Sequence, residues 1–216
     1  MGRVFVPEPR QLSENKAKAF GEVVPLVPVE SKLGLEPDRI KSSLAKSLTT
    51  FTDDDYLLLD GSNTHCAVAT SVLGIERDCI NLLIWNSKAN NYVFRRLDLD
   101  RIAPILSAGP QKVFVTNDIH GILPHGYTSI SLTSGNDPDI MEPDKIKRKM
   151  DALLINSQPG DFLLLSGSKI HNSIASVVLS RMHGLVNFMI WNARTKSYVL
   201  RSCKFTLEDL QRILSL

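Results

Sequence analysis

A stretch of the chain that occurs twice constrains its fold more than any other feature. Residues 55–97 and 161–203 align without a gap at an offset of 106, and 17 of the 43 aligned positions are identical. Identity this dense at one fixed offset marks an internal duplication. We therefore predict two copies of one lobe, the first over residues 1–106 and the second over residues 111–216, joined by a short linker.

The order of apolar and polar segments predicts the same α/β architecture for both lobes. Residues 55–59 and 161–165 are apolar runs of strand length, and strands that are apolar on both faces belong to covered parallel sheets. Pro37 and Pro143 open helices, because a proline suits the first helical turn. The pattern β, β, α, β, α, β, β, α indicates two tandem Rossmann-like three-layer lobes, related by a pseudo-twofold axis. Each would have a mainly parallel sheet with an antiparallel hairpin at its edge.

Composition excludes several classes of protein. The net charge of +2 is too weak to indicate nucleic-acid binding by itself. No apolar run approaches the roughly 18 residues that a membrane-spanning helix needs, so we expect no membrane association. The three cysteines are odd in number and lie in apolar segments, which predicts reduced, buried thiols and a cytoplasmic protein.

The first candidate site is the turn at which each buried strand runs through Gly-Ser into a helix. A helix N-terminus presents free N–H groups to an anion, and ligands of open α/β sheets collect at the carboxyl ends of strands. A nucleotide or another small anion would bind there, with neutral histidines on the first helical turn. The alternative is that serine and glycine only cap the helix and form the turn. The candidate ligand-binding residues are Gly61, Ser62, His65, Gly167, Ser168 and His171.

The second candidate site is the hairpin that follows in each copy. A tryptophan and a tyrosine flank its turn and are expected to pair across the strands, with basic residues around them. Aromatic rings beside cations can bind a protein partner or single-stranded nucleic acid, or they can simply seal the edge of a sheet. The candidate partner-binding residues are Trp85, Lys88, Tyr92, Arg95, Trp191, Arg194, Tyr198 and Arg201.

A third feature is the sequence Thr-Asn-Asp-Ile-His-Gly at residues 116–121, directly after a predicted strand. It resembles the first metal-binding motif of the calcineurin-like metallophosphoesterases, particularly that of 5′-nucleotidases. The resemblance implies that Asp118 and His120 would bind a metal that polarises phosphate and water. The Gly-Asn-His motif of that family does not follow in the chain. A metal-dependent phosphoesterase is therefore kept only as an alternative, and we predict no metal site.

The repeated pattern D-[YF]-L-L-L-x-G-S, a helix, N-x-x-I-W-N and Y-V-x-R resembles short proteins encoded by bacteriophages. That resemblance implies a viral accessory protein in the host cytoplasm and implies no catalytic residue or cofactor. No nucleophile, base and orienting group are predicted on neighbouring strand ends. We therefore predict a protein that is not an enzyme and binds a macromolecular partner, with small-anion binding as the alternative.

Overall fold

The computed structural model of the chain describes residues 2–8, 15–27, 35–100, 109–116, 127–133 and 141–215. The first lobe contains β1 (Arg3–Val6), β2 (Glu22–Pro25), α1 (Pro37–Leu48), β3 (Tyr56–Leu58), α2 (Asn63–Glu76), β4 (Cys79–Asn86) and β5 (Asn91–Asp98). The second contains β6 (Lys112–Val115), β7 (Thr128–Ser131), α3 (Pro143–Leu154), β8 (Phe162–Leu164), α4 (Lys169–His183), β9 (Leu185–Asn192), β10 (Ser197–Lys204) and α5 (Leu207–Leu214).

The two lobes have the same sheet topology. The described residues form two five-stranded sheets, in the orders β2-β1-β3-β4-β5 and β7-β6-β8-β9-β10. All pairs are parallel except β4 with β5 and β9 with β10, which are antiparallel. The prediction of two similar α/β lobes with mainly parallel sheets and an antiparallel edge hairpin is confirmed.

Several predicted ends differ from the structure. The strand predicted over residues 22–27 ends at Pro25, and the N–H of Leu26 makes one further hydrogen bond to the carbonyl of Val6 (2.9 Å). The last helix was predicted from Thr206, but Thr206 is its N-cap, and the Oγ1 atom of Thr206 accepts a hydrogen bond from the N–H of Asp209. The counterpart helix predicted over residues 100–106 lies, beyond Asp100, outside the described residues.

The helices of both lobes lie in one continuous core between the two sheets. That core contains buried side chains from α1 and α2 together with side chains from α3 and α4. α1 contacts β10 and α5, and α3 contacts β5, so each lobe packs a helix against a strand of the other. The exterior side of the first sheet is covered in part by residues 15–20, where Ala17 packs on Val4 and Leu58. Packing of the lobes on each other is therefore part of the fold.

Helices α2 and α4 run parallel and form the centre of the lobe interface. The hydroxyls of Ser71 and Ser176 are 2.7 Å apart there, and both residues are fully buried. At the end of α2, the Nη1 atom of Arg181 donates to the carbonyl oxygens of Gly74 (2.6 Å) and Arg77 (2.8 Å). Arg181 thereby satisfies carbonyl groups that have no partner within α2 itself.

Matching ion pairs at both sides of this interface reflect the predicted pseudo-twofold relation. The Nη2 atom of Arg95 lies 4.0 Å from a carboxylate oxygen of Glu142. The Nη2 atom of Arg201 lies 3.2 Å from a carboxylate oxygen of Glu36. Both arginines and both glutamates are related by the repeat offset of 106. The arrangement of the lobes therefore repeats the relation between the copies.

The cysteines are free thiols, as predicted, but only two of them are buried. Cys66 and Cys203 are buried, whereas Cys79 at the start of β4 is half-buried, so the expectation of burial is wrong for Cys79. Burial raises the pKa of the Cys203 thiol, which therefore stays protonated. Within the described part of the chain, no helix is long and apolar enough to cross a membrane.

Candidate functional site

The hairpins have the predicted aromatic pairs at their ends. Trp85 is directly opposite Tyr92 in the register of β4 and β5, and their ring centroids are 5.1 Å apart. In the second lobe Trp191 is opposite Tyr198, with ring centroids 5.2 Å apart. The prediction that these residues pair across the strands is confirmed. Trp85 is 39% exposed, which leaves part of its ring available to a ligand.

The strand–helix turns use their serines in two slightly different ways. Ser62 Oγ accepts a hydrogen bond from the His65 N–H (3.2 Å) and lies 2.6 Å from His65 Nδ1. Ser168 Oγ makes no such backbone cap and lies 2.8 Å from His171 Nδ1. The Ser62 hydroxyl thus contacts both the peptide group and the imidazole ring of His65. These serine–histidine pairs form part of the helix start in both lobes.

His65 is buried, and the burial determines its protonation state. Burial disfavours the charged imidazolium and lowers the pKa of His65, more than nearby Glu8 raises it. His65 is therefore neutral near pH 7, which agrees with the sequence-based expectation for this residue. The cause is burial of the ring, whereas the expectation rested on the helix dipole.

The parallel packing of α2 and α4 brings the two turns next to each other. The Nδ2 atom of Asn63 donates to the carbonyl of Gly167 (3.4 Å). The Nζ atom of Lys169 lies 2.9 Å from Oδ1 of Asp60, which joins the start of α4 to the end of β3. Parallel helices place both N-termini at one end of the molecule. The hairpin of the first lobe also reaches this end, beside the second turn.

A cleft of about 990 Å³ lies between the hairpin of the first lobe and the start of α4 in the second. Its volume is at the upper end of the range typical of ligand sites. We call it the inter-lobe cleft. Its lining comes from the segment between β1 and β2, the residues after β3, the aromatic hairpin, a single residue of the segment that precedes α3, and the start of α4. The lining residues are Lys16, Leu59, Asp60, Ile84, Trp85, Asn86, Ser87, Lys88, Asn90, Tyr92, Met141, Ser168, Lys169 and Ile170.

The carboxylate of Asp60 is held from three directions at the base of this cleft. Its Oδ1 atom accepts from the N–H of Gly61 (2.8 Å) and from the ammonium of Lys169. Its Oδ2 atom accepts from the hydroxyl of Tyr92 (3.1 Å). The cleft has three lysines and one carboxylate among its lining residues, so its charge is net positive. An anionic ligand is favoured by that charge.

Lys16, in the segment between β1 and β2, contacts the hairpin of the first lobe. Its Nζ atom lies 4.4 Å from the centroid of the Trp85 ring and donates to the backbone and side-chain oxygens of Asn90, both at 2.8 Å. Asn90 has a positive φ of 49°, which asparagine tolerates better than most residues. The ammonium therefore rests on an aromatic face at the mouth of the cleft.

The structure brings together only some of the predicted site residues. Trp85, Lys88, Tyr92 and Ser168 line the inter-lobe cleft, which joins one predicted hairpin to one predicted turn. Arg95 and Arg201 instead contact the opposite lobe through their ion pairs. The other predicted residues do not line this cleft: Gly61, Ser62, His65, Gly167, His171, Trp191, Arg194 and Tyr198. Asp118 and His120 lie outside the described residues.

Sequence reasoning missed the charged residues at the base of the cleft. Asp60 and Lys169 form a pair between lobes, and the repeat places Ser166 and Asn63 at the corresponding positions. A difference between copies at an otherwise repeated turn was the available signal. Lys16 lies where the two copies differ most in length, so no alignment between them could identify it. No group of three or more histidine, cysteine or acidic residues that could hold a metal occurs among the residues described.

The fold and the cleft define a duplicated Rossmann-like α/β protein with a candidate ligand site between its lobes. The family described as "Phage Pam3 gp32-like protein" matches residues 4–99 and again residues 108–204. The chain therefore belongs to this family, as a phage-type protein with two copies of the family unit. This agrees with the resemblance to bacteriophage proteins and with the internal duplication.

Other comparisons give little more. No curated protein matches the sequence. Among solved structures, similarity is found to the Cap4 SAVED/CARF-domain containing receptor of Acinetobacter baumannii, with a TM-score of 0.49 and 9% sequence identity. The match covers 96% of this chain and 50% of that one, so this chain spans about half the length of that receptor.

Proposed function

We propose that this protein is a non-enzymatic binding protein of phage type whose inter-lobe cleft binds a nucleotide. The observation that carries the proposal is the combination of an exposed tryptophan, three lysines and a helix start around one cleft of about 990 Å³. A nucleotide offers matching chemistry, because it has a flat aromatic base and charged phosphates. The protein would act in the host cytoplasm, where its free thiols stay reduced.

The base would bind at the aromatic hairpin. The rings of Trp85 and Tyr92 are in T-shaped contact, with centroids 5.1 Å apart, which orients Trp85 before any ligand arrives. A stacked base would take the place of the Lys16 ammonium, which lies 4.4 Å from the Trp85 ring centroid. Stacking of a base on an aromatic side chain contributes about 1–3 kcal/mol. Such a preformed aromatic surface loses little conformational entropy on binding.

The phosphates would bind at the start of α4. Ser168 and Lys169 lie at the N-terminus of a 15-residue helix, where unpaired N–H groups and the helix dipole favour an anion. The ammonium of Lys169 is already held in place by Asp60 and supplies a positive charge there. Lys88, exposed on the hairpin turn, adds a second cation on the opposite side of the cleft.

The exposed hairpin also supports a second candidate function, the binding of a macromolecular partner. Trp85 is 39% exposed and Lys88 is exposed on the turn, a combination that is common at protein and nucleic-acid interfaces. The cleft beside the hairpin favours a small ligand, because a flat partner would leave that volume empty. The two functions are compatible if the nucleotide binds in the cleft first and the macromolecular partner then binds the exposed hairpin.

Isothermal titration calorimetry of the full chain with mononucleotides, dinucleotides and inorganic phosphate tests the proposal. Trp85→Ala should weaken nucleotide binding about tenfold or more, since 1.4 kcal/mol corresponds to a factor of ten. Trp191→Ala, which makes the same change on the other hairpin, should leave the affinity unchanged. The double variant Asp60→Ser/Lys169→Asn gives this cleft the residues of the other copy and should weaken phosphate-bearing ligands most.

Two results would contradict the proposal. One is the absence of binding by any nucleotide to the folded parent chain. The other is an equal loss of affinity in Trp85→Ala and Trp191→Ala. In the first case, capture of a protein or single-stranded nucleic acid that depends on Trp85 and Lys88 would support the macromolecular function.

A further inference from the structure

The duplication creates two pseudo-equivalent places for a ligand. The inter-lobe cleft joins the first hairpin to the second turn, and the pseudo-twofold axis relates it to the region between the second hairpin and the first turn. The two places share the aromatic pair, the serine and the helix start. Whether both bind ligands depends on the residues by which they differ.

At the first turn, the chain supplies its own anion. The N–H of Ser62 donates to the Oε2 atom of Glu8 at 2.5 Å, and Glu8 follows the end of β1. Gly61 has a φ of +100°, and a Cβ added there would lie 2.6 Å from the Cβ of Glu8. Glycine thus allows the turn and Glu8 to approach closely, and the carboxylate occupies the position of a phosphate at the start of α2.

The charges around this first turn disfavour a second anion. The side chain of Glu8 is 31% exposed, and its Oε2 atom lies 4.0 Å from Nδ1 of His65, whose pKa is lowered by burial. In the repeat, Asn63 of the first copy corresponds to Lys169 of the second, and Ser166 of the second copy corresponds to Asp60 of the first. The pseudo-equivalent place therefore has Asn63 and Ser166 where the inter-lobe cleft has Lys169 and Asp60. A phosphate approaching the first turn would meet a carboxylate where the second turn offers an ammonium.

We infer that the chain binds one phosphate-bearing ligand, in the inter-lobe cleft, and that Glu8 closes the pseudo-equivalent place at the first turn. The single-ligand stoichiometry rests on the proposed function. The closure by Glu8 does not, because it follows from the contacts of the first turn alone. The inter-lobe cleft therefore remains open to a ligand, whereas the side chain of Glu8 occupies the pseudo-equivalent place at the first turn.

The chain has two tryptophans, one on each hairpin, so fluorescence can report on each place separately. Trp191→Phe leaves Trp85 as the reporter, and Trp85→Phe leaves Trp191. We expect ATP to quench Trp85 emission in a saturable way with one site per chain, and to leave Trp191 emission unchanged. Saturable quenching of Trp191, or a calorimetric stoichiometry of two, would overturn the inference.

Opening the closed site provides the second arm of the test. The variant Glu8→Ala/Asn63→Lys removes the internal carboxylate and supplies the missing ammonium, and Glu22→Ala/Asn63→Lys is the control with the same net charge. With inorganic phosphate, only the first variant should show a midpoint of thermal unfolding that rises with phosphate concentration beyond the rise of the parent. Equal responses of the two variants would overturn the closure by Glu8, even if the parent binds no nucleotide.

Discussion

The carboxylate of Asp55 fixes β1 to the turn before β3. It accepts hydrogen bonds from the backbone N–H of Arg3, from the guanidinium of Arg3 and from the backbone N–H of Thr52. The shortest distance to each of these three groups is 2.7 Å. Burial would raise the pKa of Asp55, but these hydrogen bonds outweigh it and lower the pKa to about 2. The second copy replaces Arg3 by Lys112, and the carboxylate of Asp161 there accepts from two backbone N–H groups instead.

We predict that Asp55 stabilises the fold above about pH 4 and that this contribution disappears as the pH falls to about 2. The folded pKa lies below the ordinary value of 3.8, so the ionised form favours the folded state. The difference corresponds to about 2 kcal/mol. Urea unfolding of Asp55→Asn and the parent should differ by at least that amount at pH 7, and the difference should shrink towards pH 2. A difference that is independent of pH would contradict the assignment.

At the scale of elements, α5 is held to the first lobe by a buried ion pair. The ammonium of Lys41 on α1 contacts the carboxylate of Asp209 on α5 and donates to the carbonyl of Lys204 (2.8 Å). The corresponding lysine of the second lobe, Lys147, pairs instead with Asp151 on its own helix (2.8 Å). Lys41 thus connects the two lobes, whereas its counterpart Lys147 connects two turns of a single helix.

Removing one partner of this pair should cost more than removing both. Asp209→Asn removes the buried counter-ion of Lys41 and leaves only the exposed carboxylate of Asp38, 3.5 Å away on the same helix. Breaking a buried pair in this way costs up to about 3–5 kcal/mol. Lys41→Met/Asp209→Leu replaces the pair by apolar side chains and should cost clearly less. The free energy of unfolding in urea checks both values. A double variant at least as unstable as Asp209→Asn would show that packing, and not the unpaired charge, dominates.

The elements were predictable from sequence to the extent that they depend on local patterns. The prolines at Pro37 and Pro143 identified the starts of α1 and α3, and the Trp85–Tyr92 pairing followed from the spacing of the hairpin. Contacts between distant elements were not predictable in this way. The partner of Lys41 is 168 residues away in the sequence, and the pair of Asp60 with Lys169 forms only because α2 and α4 lie parallel.

At the scale of the whole molecule, the core between the sheets is continuous, so we expect the two lobes to unfold as one cooperative unit. The two lobes pack closely at Gly74 on α2, where an added Cβ would lie 2.0 Å from Cγ2 of Val177 on α4. Alanine favours a helix over glycine by about 1 kcal/mol, but overpacking typically costs about 1–3 kcal/mol. The close contact therefore requires glycine in α2, although the helix itself would prefer alanine.

We predict that Gly74→Ala lowers the free energy of unfolding and that Val177→Ala in the same chain restores part of the loss. The second change removes the methyl group that the new Cβ would meet. Calorimetry and urea unfolding should show one transition for the parent and for both variants. A gain in stability from Gly74→Ala alone, or separate transitions for the two lobes, would contradict this description of the interface.

The packing of a helix of each lobe against the other lobe bears on how such a protein can diverge. Two separate copies of a single lobe, joined in the same way, would form a symmetric dimer, and every mutation in the gene would appear in both halves. Fusion into one chain removes that restriction. Asp60 and Lys169 on one side, and Glu8 and Asn63 on the other, could then arise independently without either change altering its counterpart. The duplicated gene thus allows the two turns to differ in sequence and in charge.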